Sequence, residues 1–254
     1  MMERFHTGDG AELAFVEQGS GSPALLFVHG WQGDHTVWDR VVDALGPQRH
    51  TVAIDLRGGG ASRLAPGPYR IERFAADLRD LVAARDLGPV VVVGHSMGAT
   101  VALRLAVDSP ELVRGLILIA PVPASGGAYS EKGLAYLRGV ARDENAVRAW
   151  LARTVEQPPD EATLDRLNAV AAKMTRDAAL ESFESFAHAD FAERTRAIAA
   201  PALVVASEHD APDACERRVV SLLPNVTFVT LRDAAHYAIV ERPDEIAATI
   251  RSFA

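Results

Sequence analysis

The chain has 254 residues, enough for one well-buried α/β core. Its residues are 48% apolar and 24% charged, as in ordinary soluble globular proteins, and its net charge of −8 with no clustered Lys/Arg stripe argues against nucleic acid or an anionic membrane as a partner. One cysteine, Cys215, excludes an internal disulfide and reads as a small buried side chain in a helix, while the absence of a signal-peptide-like run or of ~20 consecutive apolar residues makes the expected location cytoplasmic.

In chain order, residues 3–16, with Gly8-Asp9-Gly10 inside them, predict an antiparallel hairpin on the edge of a sheet. Short apolar runs follow at residues 24–28, 51–54, 90–93, 116–119, 202–205 and 226–229. Strands this uniformly apolar suit a parallel sheet covered on both faces. Helical periods alternate with them. Over residues 71–85, Ile71, Phe74, Ala75, Leu78, Leu81 and Val82 share one face, and Glu72, Arg73, Arg79 and Asp80 lie away from it. Residues 97–108 and 243–253 read the same way, with Pro243 suited to a first helical turn. The expected class is α/β: an open, mostly parallel central sheet with helices on both faces.

From about residue 121 to 200 no strand is expected. Pro121, Pro123, Gly126-Gly127 and Pro158-Pro159 break the segment, and residues 134–141, 146–155, 162–174 and 180–188 have helical periods. That length exceeds an ordinary connection and favours a helical cap inserted between two strands. The division expected is a core of residues 1–120 and 201–254 with a cap of residues 121–200. The large aromatics of that segment, Tyr129, Tyr136, Trp150, Phe183 and Phe186, read first as its own packing, with some expected to face Trp31 and Met97.

The run Val90 to Val93 leads into Gly94-His95-Ser96-Met97-Gly98. Two glycines around a serine, between a buried strand and a helix, are the setting of a nucleophile elbow, although a G-x-S-x-G pattern alone is a modest signal. A serine hydroxyl is a weak nucleophile and needs a base, an orienting carboxylate and backbone N–H donors for the oxyanion. His95 is assigned to packing and a local hydrogen bond. His236 follows the last strand, at its carboxyl end, and is the expected base. In the loop after residues 202–205, Asp210 is the expected carboxylate, with Asp213 and Glu208 as fallbacks. Gly30 lets the backbone N–H of Trp31 turn toward the site, opposite the N–H of Met97. The order Ser96, Asp210, His236 is that of the α/β-hydrolase arrangement.

With these residues in place the chain resembles the α/β-hydrolase fold superfamily, in its serine-nucleophile, helical-cap, esterase/lipase-like group. The matching pieces, over essentially the whole length, are HGW at 29–31, DLRGGGAS at 55–62, GHSMG at 94–98, EHD at 208–210 and AAHYAIVERPDEI at 234–246. The resemblance implies the triad and oxyanion roles above and a structural role for Asp55 and Arg57. Gly59, Ala99 and Ala235 depart from the family's frequent residues and bear on pocket shape. Relatives with an epoxide hydrolase or haloalkane dehalogenase activity carry aspartate at the elbow; serine implies an acyl-enzyme. Gly58-Gly59-Gly60 has neither a G-x-G-x-x-G pattern nor a P-loop lysine, and no cofactor or metal is expected. The expected substrate is a small-molecule carboxylic ester. Lactone, carbon–carbon and perhydrolysis chemistry on the same triad stay open, as does a ligand-binding receptor, and the oligomeric state is undetermined.

Overall fold

An eight-stranded sheet, ordered β1-β2-β4-β3-β5-β6-β7-β8, runs through the computed structural model, which describes residues 1–127, 129–156, 160–210 and 214–254. The strands are β1 (Met2–His6), β2 (Glu12–Gln18), β3 (Ser20–Val28), β4 (Arg49–Ile54), β5 (Val90–His95), β6 (Val113–Ile119), β7 (Ala202–Ser207) and β8 (Val226–Leu231). β1 and β2 form the expected antiparallel hairpin at one edge, β2 pairs antiparallel with β4, and every later pair is parallel. The Thr7 N–H donates to the Ala11 carbonyl at 2.9 Å to close the hairpin turn.

The helices are α1 (Asp39–Leu45), α2 (Ile71–Ala84), α3 (Met97–Asp108), α4 (Glu131–Val140), α5 (Glu144–Leu151), α6 (Glu161–Ala171), α7 (Arg176–Ala187), α8 (Ala214–Leu222), α9 (Ala238–Glu241) and α10 (Pro243–Phe253). α1 packs on α10 and α2 on α3, so helices cover the sheet and explain why its central strands are apolar on both faces. Val90, Val92, Val93, Leu116, Ile117 and Leu118 are completely buried. The chain passes from β3 outward to β4 and then back across to β5. β3 and β5 are therefore neighbours whose connections leave in opposite directions, and the crevice at their carboxyl ends is where such sheets bind ligands. No helix among the described residues is long and apolar enough to cross a membrane.

Four helices, α4 to α7, occupy the stretch between β6 and β7, and no strand lies there among the described residues. Their limits differ from the periodicity. α5 stops at Leu151, and α7 starts at Arg176 because the Thr175 hydroxyl accepts from the Ala178 N–H and caps it. Pro158 and Pro159 lie outside the described residues. Cys215, expected to be buried, is half-buried near the start of α8.

The largest departure concerns Asp77. It lies on the buried face of α2, fully enclosed, beside the equally enclosed Arg57. Arg57 donates to both Asp77 oxygens at 2.7 Å and to the Pro66 carbonyl at 2.7 Å, which gives it the structural role expected. Without Asp77 the buried guanidinium keeps its desolvation cost and retains as a charged partner only the exposed Asp9, whose Oδ1 accepts from Arg57 Nη2 at 3.1 Å. Asp77→Ala is expected to cost about 3–5 kcal/mol of stability, read as a fall in the urea midpoint at unchanged slope.

Candidate active site

Ser96 stands between β5 and α3 with φ 54° and ψ −119°, a left-handed backbone that a non-glycine residue adopts at a cost of about 1–3 kcal/mol. The flanking glycines are required by packing. A Cβ on Gly94 would lie 2.5 Å from the Gly98 carbonyl oxygen, and one on Gly98 would lie 2.3 Å from the Val28 carbonyl oxygen. Only bare backbone lets α3 press this closely on β3 and β5, and that contact holds the serine at the top of the bend. The bend is fastened by its own backbone: the Ser96 N–H donates to the Ile119 carbonyl at 2.9 Å, and the Ala99 N–H to the Ser96 carbonyl at 3.0 Å.

Ser96, Asp210 and His236 come together. His236 Nε2 is 2.9 Å from Ser96 Oγ, and its Nδ1 is 2.9 Å from Asp210 Oδ2. Asp210 sits just past β7 and His236 past β8, so three strand ends supply the three side chains. Glu208 lies elsewhere: it is exposed and accepts from the Asp233 N–H at 3.3 Å. Asp213 lies outside the described residues. Burial pulls the His236 imidazole toward the neutral form, but the charge and hydrogen bond of Asp210 outweigh it and leave its pKa above the ordinary histidine value.

His95 is buried and packed as expected, but its hydrogen bond is not the local one expected. Its Nε2 donates to the His236 backbone carbonyl at 2.7 Å, and the two rings lie 5.0 Å apart. Burial first, and His236 second, hold its pKa down to about 3, so it stays neutral and keeps that Nε2–H. Glu241 was not foreseen. One carboxylate oxygen accepts from the Ala235 N–H at 2.9 Å, just ahead of His236, and the other accepts from the Glu156 N–H at 2.6 Å, just after α5. Glu156 in turn reaches His209 Nδ1 at 2.7 Å, beside Asp210. The strand-end loops that carry Asp210 and His236 are thus both tied to the segment between β6 and β7. The sequence signal of Glu241 is its place inside the matching piece AAHYAIVERPDEI, where an acid on α9 reads by itself as an ordinary solvated face.

The loop after β3 approaches from the other side of the crevice. A Cβ on Gly30 would lie 3.1 Å from Ser96 Cβ and 3.0 Å from His95 Nδ1, so glycine lets this loop close on the bend. Trp31 and Met97 are buried, and neither backbone N–H has an acceptor among the described residues. The Trp31 indole N–H donates to the Ala179 carbonyl of α7 at 2.8 Å. Its ring packs on Trp150, Phe183 and Phe186 with centroids 5.1, 5.5 and 6.0 Å away. Three of the five segment aromatics therefore meet Trp31. Tyr129 touches Phe183 at 6.2 Å, and Tyr136 is exposed under the Arg153 guanidinium.

Asp34, His35 and Asp55 have the spacing of a metal cluster, but their atoms are engaged. Asp55 Oδ1 accepts from the N–H and Nδ1 of His35, at 2.7 and 2.8 Å, and Asp55 Oδ2 from the Ala61 N–H at 2.7 Å. Asp34 accepts from the N–H and hydroxyl of Thr36 and from the Lys173 ammonium. These contacts fasten the loop after β3, in keeping with the structural role expected of Asp55.

A family model described as alpha/beta hydrolase fold matches residues 23–243. By sequence the chain is similar to pyrrolizixenacetamide deacetylase of Xenorhabdus hominickii, 26% identical over 262 residues that span 99% of this chain and 97% of that one. By structure it is similar to an esterase from Exiguobacterium antarcticum, with a TM-score of 0.93, 16% identity and coverage of 100% and 99% of the two chains. It is also similar to the enol-lactonase of Burkholderia xenovorans, with a TM-score of 0.89, 24% identity and coverage of 99% of each chain. At these identities the structural likenesses bear on the fold.

Proposed function

This chain belongs to the alpha/beta hydrolase fold family, and from that premise we propose that it is a serine hydrolase cleaving carboxylic esters of small acyl groups through an acyl-enzyme on Ser96. The observation that carries the reading is the unbroken chain from Ser96 Oγ to His236 Nε2 and from His236 Nδ1 to Asp210, each step 2.9 Å.

In this reading His236 Nε2 takes the Ser96 proton as Oγ attacks the ester carbonyl, and Asp210 holds the tautomer with its proton on Nδ1 and stabilises the imidazolium. The negative charge on the carbonyl oxygen meets the N–H groups of Trp31 and Met97, which are fixed in place and need no reorganisation. His236 then returns the proton to the departing alcohol. Water, deprotonated by the same imidazole, releases the acid. Helices α4 to α7 act as a cap, with Trp150, Phe183 and Phe186 closing apolar surface over Trp31 and excluding water from the intermediate.

The base must be neutral to work, and its pKa stands above the ordinary histidine value. Activity is therefore lost as pH falls through a point above about 6.5, and is kept above it. The test is a pH profile of kcat/KM on p-nitrophenyl esters of graded acyl length, run beside a lactone and a ring-cleavage dienoate. Ester turnover with an acidic limb above the ordinary histidine range supports the reading. Fluorophosphonate labelling without multiple turnover would assign a receptor-like role instead.

A further inference from the structure

Gln32 is 5% exposed, and its amide Nε2 has no hydrogen-bond partner. Leaving such a group buried and unpaired costs about 1–3 kcal/mol, and native proteins seldom tolerate it without a use. The backbone adds a second cost, because Gln32 is held at φ 60°, in the left-handed region that favours glycine. Two unfavourable features in one residue, next in sequence to Trp31, call for a compensating role.

The side chain lines a cavity of about 90 Å³ beneath α4 to α7. Val140, Met174 and Ala179 form an apolar wall. Ala179 also takes the Trp31 indole N–H on its carbonyl, so the cavity abuts the loop whose N–H faces the scissile carbonyl in the proposed reaction. Asn168, Arg142 and Arg176 form a polar wall, and both arginines are exposed and without an ion-pair partner among the described residues. The acid on the wall, Asp143, has Oδ1 occupied by the Asn145 N–H at 2.9 Å. The balance is an amide donor, two guanidinium groups and one carboxylate beside an apolar wall, one net positive charge.

We propose that this cavity is an acyl-end subsite for substrates whose acyl chain ends in a second carboxylate. This rests on the ester-hydrolase reading and deepens it. The methylene chain runs along Val140, Met174 and Ala179. One carboxylate oxygen accepts from Gln32 Nε2, and Arg142 and Arg176 supply the opposite charge. Gln32 is then a specificity-determining residue: its unpaired amide discriminates against an acyl chain that ends in methyl groups, because that chain leaves the donor unpaired and buried.

The test uses p-nitrophenyl half-esters of straight-chain dicarboxylic acids of graded length, each beside a neutral ester with an isopropyl group in place of the carboxylate. At the best length, wild type should prefer the carboxylate ester, by about 10- to 100-fold in kcat/KM. Gln32→Met should lower that preference by about tenfold or more. Gln32→Glu, nearly isosteric, should reverse the preference by repelling the anion. Arg142→Ala with Arg176→Ala should lower it and weaken its dependence on salt. Variants that keep the wild-type melting temperature are compared. Binding of the free dicarboxylates, followed by tryptophan fluorescence, is measured in parallel. If no ester is turned over but dicarboxylate binds and Gln32→Met abolishes binding, the hydrolase reading fails and the subsite stands. A wild-type preference for the neutral ester, equal losses on both esters in the Gln32 variants, or dicarboxylate binding that ignores Gln32 would overturn the proposal and leave the cavity to water.

Discussion

Ser96→Ala folds to the wild-type melting temperature, loses turnover by about 10⁴- to 10⁶-fold and takes up no fluorophosphonate. The expectation of an intact fold follows from how the bend is held. Its strained backbone is fixed by the Ser96 N–H to the Ile119 carbonyl and by the packing of Gly94 and Gly98, none of which uses the hydroxyl. Alanine adopts the same φ at similar cost. The expectation of lost activity follows from the hydroxyl's engagement with His236 Nε2. Without it, the imidazole has no nucleophile to activate, and only the N–H groups of Trp31 and Met97 and binding itself remain. Labelling that persists in the variant would place the nucleophile elsewhere.

Asp210→Asn lowers kcat/KM by about 10⁴-fold. The asparagine amide can present its NH₂ to His236 Nδ1. The imidazole then carries its proton on Nε2 and offers Ser96 a donor where the reaction needs an acceptor. The substitution also removes the negative charge that lifts the His236 pKa against the effect of burial. The acidic limb of the residual activity therefore moves to lower pH, a shift that loss of packing alone would not produce. Kinetics near wild type would mean that another carboxylate orients His236. That outcome would direct attention to Asp213.

The parts of this fold that could be read in advance are those whose cause is local. Val90 to Val93 announce a strand buried on both faces because no polar residue interrupts them. Gly94 and Gly98 announce the elbow because a Cβ at either place would meet backbone. Asp210 and His236 could be found because both follow apolar strands, at the ends where a parallel sheet gathers its loops. What could not be read depends on partners distant in sequence. Asp77 breaks the apolar stripe of α2 and reads as an error in the pattern until Arg57 is seen beside it. Glu241 reads as a solvated acid until its two oxygens are found on Ala235 and Glu156. Gln32 reads as a spacer between Trp31 and Gly33, and only the cavity under α4 to α7 gives its amide meaning. The shifted limits of α5 and α7 have local causes instead: α5 stops before its periodicity does, and the Thr175 cap starts α7 ahead of the stretch its periodicity marked.

The proposed reaction passes through an acyl group on Ser96. Its most direct test is rapid quenching of the enzyme during turnover of an activated ester, followed by intact-mass and peptide mass analysis. A transient mass increase equal to the acyl group is expected on the peptide containing Ser96, appearing before steady state and decaying at the turnover rate. An acyl group on any other residue, or full turnover with no acyl intermediate under conditions that trap one, would contradict it.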